Sequence, residues 1–376
     1  MNIFINAKID FVSKFKLCGI ISAVLVAASI ILFLVLGLNY GIDFAGGTEI
    51  QLKADGLSTE QLRIYLSDFG NMDIQEFEGK NNEFLVRFLN VSMVNDETIN
   101  KYIEGVKNEF PDSKLTKQYF DSQVGDRIEM WFENPVDEAK LKSLTQQFKI
   151  PTTGTIEYKQ VGERHIYKVL LEGLTTEILS TIKTKSGIEP ELLRVELVGP
   201  KVGEKLRYSA LQAIFYSLIA ILIYVAFRFN FQFAPGAVIS LFHDVMITVG
   251  IWSLFRIPFD LTIVAALLTI VGYSINDTIV IYDRIRENWN NPKKGVTLAE
   301  KMNVSLNETL TRTILTSFTT LMAVLALLFL GGETIRGFAL AMTFGLVAGS
   351  YSTLFIASPI TLLVEKWMNK EKTTSL

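Results

Sequence analysis

The chain has 376 residues, 49% of them hydrophobic, and a mean hydropathy of +0.31, which is too apolar for an ordinary soluble protein and points into a membrane. One cysteine, Cys18, excludes a disulfide framework and any multi-cysteine metal or iron–sulfur site, and two histidines leave few ligands for zinc. A formal net charge of -3 argues against nucleic acid as the main partner, because phosphate binding needs a basic field.

In chain order, six stretches are apolar over about the 20 residues that a helix needs to cross roughly 30 Å of hydrocarbon. They lie near residues 17–38, 208–227, 234–255, 259–281, 313–331 and 336–364. The first is expected to be an uncleaved anchor: its apolar run is too long for a signal peptide, no small-residue cleavage site follows, and Cys18 precedes the run. Orientation follows from Lys and Arg, which collect on the cytoplasmic side of short loops. Lys8, Lys14 and Lys16 precede the first stretch, Arg228 follows the second, Arg284, Arg286, Lys293, Lys294 and Lys301 follow the fourth, and Lys366, Lys370 and Lys372 end the chain; the opposite short loops carry only Arg256 and Arg336. Residues 1–16, the loop 282–312 and the tail 365–376 are therefore expected in the cytoplasm, and 39–207 on the other side, outside or in a periplasm.

Between the first two membrane stretches, strand and helix patterns alternate. TEIQLK reads as a strand, and Leu62, Tyr65, Leu66 and Phe69 follow at helical spacing behind Ser58 and Gln61, the two ends of a capping box. Two short strands come next, with Phe84, Val86 and Phe88 alternating; Ile99, Tyr102, Ile103, Val106 and Phe110 share a helix face; a strand near 114–120 completes β-α-β-β-α-β. The order recurs: Ile128, Met130 and Phe132 in a strand, Leu141, Leu144 and Phe148 in a helix, strands near 154–160 and 166–171, a helix with Ile178 and Ile182, and a last strand with Leu193, Val195 and Leu197. The reading is two ferredoxin-like units in tandem, 48–122 and 126–200, with one unit carrying an irregular insertion as the alternative. No catalytic constellation stands out. His165 beside Arg164 reads as a solvated turn residue, Asp68-Phe69-Gly70 as a helix end without the other kinase motifs, and GPKVGEKL at Gly199–Leu206 lacks the spacing and the Ser/Thr of a phosphate loop.

A charge inside a membrane helix costs several kcal/mol, so each one needs a reason. The third stretch carries His243 and Asp244, the fourth Asn276 and Asp277, and the fifth opens with Arg312. Asp277 lies 18 residues from Phe259 and Arg312 lies 18 from Leu330, at the outer ends of their helices, which puts both roughly 27 Å deep. They are expected to meet if their helices pack, with Asp244 at a neighbouring depth. Either the cluster is an inert buried ion pair that fixes helix register, or Asp277 changes protonation as Arg312 approaches and withdraws, with His243 and Asp244 relaying or tuning it. Arg228, Asp283, Arg284 and Arg286 read as interfacial anchors beside Phe227, Phe229, Phe231 and Phe233. Gly337, Ala341, Gly345 and Gly349 form a small-residue stripe for close helix packing, and Thr309, Thr313, Thr316 and Thr320 a comparable one.

GIDFAGGTEI at Gly41–Ile50, VGPKVGEKL at Val198–Leu206, FHDV at Phe242–Val245, GYSINDTIVIYDRIREN at Gly272–Asn288, LNETLTRTILTS at Leu306–Ser317 and GGETIRGFAL at Gly331–Leu340 resemble the motifs of the SecD/SecF family, membrane subunits of the bacterial protein-export machinery. The resemblance implies an α-helical membrane fold with six transmembrane helices, half of an RND-type assembly, with an α+β periplasmic domain. It implies a pseudo-symmetric partner, SecD, association with the SecYEG channel driven by SecA, with YajC and YidC as further partners, and unfolded exported proteins as substrates. It places such a chain in the bacterial inner membrane. Protons would be the coupling ion and no other cofactor is implied. On the matching positions Asp277 would be the proton carrier and Arg312 its switching partner, with His243, Asp244 and Asn276 in the same relay. Asp43, Gly46 and Gly47 would form a hinge at the start of the periplasmic domain, next to the motif glycines Gly199 and Gly203. The family usually has one short ferredoxin-like domain where this chain has residues 39–207, and docking on SecD or contact with the substrate is the expected role of the extra unit. A translocon scaffold that moves no protons, and half of an exporter of lipids or small molecules, are the competing functions. A membrane hydrolase is a distant further one, since His243 and Asp244 have no nucleophile in a recognisable motif.

Overall fold

A computed structural model describes residues 8–70, 72–76, 82–88, 94, 96–120, 127–229, 231–290 and 296–374. Lys293 and Lys294, the boundary at 122–126 between the two expected units, and the side chains of Lys370 and Lys372 lie outside the described residues. In chain order the elements are α1 (Phe15–Leu36), β1 (Asn39–Tyr40), α2 (Ile42–Ala45), β2 (Gly47–Lys53), α3 (Thr59–Tyr65), β3 (Met72–Glu76), β4 (Glu83–Phe88), α4 (Asp96–Glu109), β5 (Leu115–Phe120), β6 (Arg127–Phe132), α5 (Glu138–Gln147), β7 (Thr152–Val161), β8 (Arg164–Leu171), α6 (Leu174–Ser186) and β9 (Glu191–Val198). There follow α7 (Pro200–Arg228), α8 (Ala234–Phe255), β10 (Pro258–Phe259), α9 (Leu261–Asn290), α10 (Leu298–Leu330), α11 (Glu333–Ser352), a π-turn (Thr353–Ala357) and α12 (Ser358–Thr374). Two compact units result, one formed by the chain up to Tyr40 together with Tyr208–Leu376, the other by Gly41–Arg207.

The first unit holds six helical spans long and apolar enough to cross a membrane. They match the six expected stretches, but α9 and α10 run on well beyond them. Their polar ends stay helical because they pair with each other: Arg284 bonds Glu308 at 2.6 Å and Asn288 bonds Ser305 and Glu308, both at 2.9 Å. A capping box of Thr297 and Glu300 starts α10. Arg286 pairs with Asp283 at 2.6 Å, and both Arg228 and Arg286 lie over the Phe229 ring.

Small residues decide which helices touch. A Cβ on Gly250 of α8 would fall 2.3 Å from Ser29 Oγ of α1. On α11, a Cβ on Gly337 would stand 3.3 Å from Ile263 Cδ1, on Gly345 2.2 Å from Ile270 Cδ1, and on Gly349 3.2 Å from Ser274 Cβ, while Ala341 is fully buried. The stripe thus lies along α9, and van der Waals contact between close backbones replaces the hydrophobic drive that lipid does not supply. At one end, β1 and β10 pair in parallel, Asn39 with Pro258 and Tyr40 with Phe259, and Ser253 donates to Gly37 O at 2.7 Å.

In the second unit each strand and helix expected from periodicity is present, including the Ser58–Gln61 capping box. The strand pairing, however, departs from a tandem repeat. β9 pairs with β2, giving one antiparallel sheet ordered β3-β4-β2-β9 under α3 and α6, and a second ordered β5-β6-β8-β7 under α4 and α5. A β-α-β-β-α-β path therefore exists once, split after β4, and the α-β-β-α-β-β segment from α4 to β8 is inserted into it. Periodicity sees each strand's buried face but not its neighbour. Both sheets bury one face: Ile50, Leu52, Phe84 and Val86 against Leu62 and Ile178 in one, Ile128, Met130, Phe132 and Val169 against Tyr102 and Leu141 in the other. Leu193, Val195 and Leu197 of the last strand are about half exposed, β9 being an edge strand. His165 sits in β8 instead of a turn and holds Tyr158 Oη at 2.8 Å through Nδ1.

Candidate functional site within the helices

Two carboxylates lie inside the helical unit, each surrounded by hydroxyl groups. Asp244 of α8 is fully buried. Its Oδ2 accepts from Ser274 Oγ of α9 at 2.6 Å and from Ser352 Oγ of α11 at 2.9 Å, and its Oδ1 is 3.0 Å from His243 Nδ1. Gly349 lies beside this group: a Cβ there would stand 3.2 Å from Ser274 Cβ, a tight contact, and 3.5 Å from Asp244 Oδ2, an ordinary one. His243 is itself buried, its ring centroid 6.0 Å from that of Tyr351 with the planes tilted by 34°, and its Nε2 has no hydrogen-bond partner among the described residues. Tyr351 Oη in turn donates to Cys18 O at 2.9 Å and meets Ser22 Oγ at 3.0 Å, both on α1.

Asp277 of α9, 8% exposed, lies one turn beyond Ser274. Its Oδ1 accepts from Thr316 Oγ1 at 3.3 Å and its Oδ2 from Ser317 Oγ at 3.2 Å, both on α10. Ser350 Oγ of α11 backs Ser317 at 2.8 Å. Between the two carboxylates, Thr278 and Thr353 share a hydrogen bond of 3.1 Å across α9 and the π-turn. A serine or threonine hydroxyl both donates and accepts, so it serves a carboxylate and a carboxylic acid equally well. The site therefore holds an acid in either protonation state without exchanging partners.

The structure does not join the residues as the depth count suggested. No ion pair within 4.0 Å links Asp277 to Arg312 among the described residues; the Arg312 side chain is exposed but within electrostatic reach of Asp277, and the Arg312 backbone carbonyl, 3.0 Å from Thr316 Oγ1, competes with Asp277 for the same hydroxyl proton. The count assumed level helix ends, but the residues that meet Asp277 lie one turn further along α10, an offset of roughly 6 Å. Asn276 is exposed as well, on the opposite side of α9 from the hydroxyl cluster. Of the threonine stripe on α10, Thr316 serves Asp277 and Thr320 meets Tyr273 Oη at 2.9 Å, while Thr309 bonds back to Ser305 O. Ser274, Ser317, Ser350, Ser352 and Tyr351 were not singled out in the sequence. Their one signal is a hydroxyl inside an apolar run, which local back-bonding alone would also explain.

The other motif residues cluster in the second unit. Gly46, at φ 76°, ends α2, and a Cβ there would fall 2.8 Å from Pro200 Cα. A Cβ on Gly203 would stand 3.0 Å from Gly46 N and 3.1 Å from Phe44 O. The segment Gly41–Gly47, which contains Asp43, thus packs directly on Pro200–Gly203, and Gly199 O accepts from Gly203 N in the first turn of α7.

Comparison with known proteins accounts for both motif groups. Residues 177–367 match the family model "Protein export membrane protein SecD/SecF, C-terminal", and residues 31–56 match "SecD/SecF GG Motif". The chain is 37% identical over 366 residues to the protein translocase subunit SecF of Calditerrivibrio nitroreducens, covering 96% of this chain and 95% of that one. To the SecF of Vibrio alginolyticus it is 43% identical over 243 residues, covering 63% of this chain and 77% of that one. Among solved structures it is similar to SecDF, a translocon-associated membrane protein of Thermus thermophilus, with 30% identity and a TM-score of 0.64, covering 97% of this chain and 39% of that chain. It thus spans about two-fifths of the SecDF polypeptide. With the family model spanning half of the sequence and a relative matched nearly end to end, the chain belongs to the SecD/SecF family of protein-export membrane proteins.

Proposed function

We propose that this chain is a proton-coupled subunit of the Sec translocase: with a SecD-type partner it uses the proton motive force to promote passage of unfolded proteins through the SecYEG channel. Gly41–Arg207 lies on the periplasmic side in this reading and both termini are cytoplasmic, as the Lys and Arg distribution favours. YajC and YidC are further partners that the family resemblance brings.

One observation carries the reading. Asp277 and Asp244 are buried among membrane helices with hydroxyls as partners and no cation within ion-pair distance among the described residues, apart from His243 at Asp244. An inert structural carboxylate in hydrocarbon is held by a fixed countercharge. These two instead sit where proton uptake and release change the net charge of the bundle. A proton moving down 100 mV contributes about 2.3 kcal/mol, enough to bias a two-state structure. Arg312, exposed one turn from Thr316, acts from outside the cluster as the mobile countercharge for Asp277.

The test is Asp277→Asn as the sole copy in cells, scoring precursor accumulation at equal membrane abundance of the chain. Loss of export supports the carrier role. Normal export removes it and leaves a scaffold that stabilises the translocon.

A further inference from the structure

We infer that the π-turn Thr353–Ala357, pinned by Tyr282 and Thr361, is the register element that positions the donors of both buried carboxylates; this rests on the proton-carrier reading above. Three consecutive residues before the turn contact three different helices. Ser350 bonds Ser317 of α10, Tyr351 bonds Cys18 O and Ser22 of α1, and Ser352 bonds Asp244 of α8. Successive side chains on an α-helix stand about 100° apart, so this division of labour depends on one rotational setting of α11.

The π-turn holds that setting. It contains one residue more than an α-helical turn, and a wider turn disturbs the backbone hydrogen bonds at its ends, which lipid does not replace. Side chains serve both ends. Ser358 Oγ donates to Thr353 O at 3.1 Å; Ala357 O accepts from Thr361 Oγ1 at 2.9 Å and from Tyr282 Oη at 3.3 Å; and Thr361 lies 3.0 Å from Tyr282 Oη. Tyr282 is fully buried, its ring wedged against Phe233 and Phe229. Helix α8 approaches this cluster only because residue 236 is glycine: a Cβ there would fall 2.4 Å from Tyr282 Oη and 2.5 Å from Ala357 O. Tyr282 reaches no carboxylate and serves as a positioning residue.

Closing the π-turn to α-helical register with α12 held in place rotates α11 by one residue position. Ser352 then leaves Asp244, Ser350 leaves Ser317 behind Asp277, and Tyr351 leaves α1, all in one movement. A single change of register thereby alters the surroundings of both acids, which is what a two-state element shared by two sites must do.

The experiment compares Tyr282→Phe, Thr361→Val and Thr361→Ser in the full chain with its natural partner subunits, reading export with and without an uncoupler and hydrogen exchange of the 353–358 amides in lipid nanodiscs. Loss of one pinning bond is expected to speed exchange there by about two- to tenfold. Tyr282→Phe and Thr361→Val should lose part of the proton-stimulated component of export with the uncoupled component unchanged, and Thr361→Ser, which keeps the hydroxyl, should behave as wild type. A fourth variant deletes Ile356 to close the turn. It should lose proton-stimulated export, and adding Ser352→Ala to it should have no further effect, although Ser352→Ala lowers export in the parent chain. Wild-type exchange and wild-type proton stimulation in Tyr282→Phe and Thr361→Val overturn the inference, and so does normal export by the deletion variant. Asp277→Asn is run alongside: normal export there defeats the carrier reading itself, while the exchange rates of the π-turn are read independently of it.

Discussion

Gly345→Ala offers a direct test of how the membrane helices are held together. The added Cβ would lie 2.2 Å from Ile270 Cδ1, 2.4 Å from Cγ1 and 2.9 Å from Cγ2, whereas carbon atoms rest at about 3.5–4.0 Å. All three clashing atoms belong to one β-branched side chain that is 1% exposed and stiff at χ1. It has no room to swing away, so α9 and α11 must separate. Overpacking of this kind costs about 1–3 kcal/mol. Ile270→Ala removes every clashing atom but leaves a cavity, costing about 2–5 kcal/mol alone. In the double variant the new methyl group enters the vacated space, so the two costs should fall short of additivity by about 0.5–3 kcal/mol. The assay is the unfolding midpoint of the four chains in mixed micelles of fixed composition. Additivity within about 0.5 kcal/mol, or a Gly345→Ala chain as stable as wild type, would refute the packing argument.

Further outcomes follow from the soluble unit and the motif glycines. Gly46→Ala combines a φ of 76° with a Cβ only 2.8 Å from Pro200 Cα, a backbone atom that cannot yield, and should destabilise Gly41–Arg207 by about 1–3 kcal/mol, seen as faster limited proteolysis of that segment. Tyr167 Oη accepts from Val136 N at 3.0 Å and donates to Val136 O at 3.1 Å, so Tyr167→Phe strands two backbone groups and should cost about 1–3 kcal/mol in thermal or denaturant unfolding. Tyr102 is fully buried and its hydroxyl has no partner among the described residues; Tyr102→Phe should be neutral or stabilising by about 1 kcal/mol. Burial also holds the Tyr102 phenol above the usual tyrosine range. The folded form therefore keeps a proton that the unfolded chain loses, so this contribution is intact below about pH 10 and falls away at higher pH. Tyr102→Phe should flatten that alkaline loss of stability, and an unchanged pH dependence would count against the assignment.

Periodicity, composition and charge were enough to find six membrane helices, the strands and longer helices of the second unit, though not the short α2, and the two buried acidic positions. Each of these is a local property: a 20-residue apolar run, a period of 2 or 3.6, a charge where lipid penalises it. The stripe from Gly337 to Gly349 was legible for the same reason, since small residues four apart mark a close approach, though not against which helix. Pairing was not local. β9 returns to β2 across more than 130 residues, and the apolar pattern of Leu193, Val195 and Leu197 does not say which strand it will pair with. The partners of Asp277 were decided in the same way. Counting residues placed Arg312 on the helix that faces Asp277 but did not give the hydrogen-bond partners, which are Thr316 and Ser317 one turn further on, because the longitudinal offset of α9 and α10 is set by side-chain packing between them. Nor did sequence disclose the π-turn, since Thr353–Ala357 reads as ordinary apolar helix; the extra residue is accommodated only where Ser358, Thr361 and Tyr282 converge from one helix and its neighbour to satisfy the displaced carbonyls. Sequence alone determined which elements form and which of their faces are apolar; only the tertiary structure decided what each meets, because depth, rotation and strand neighbour are properties of packed pairs of elements.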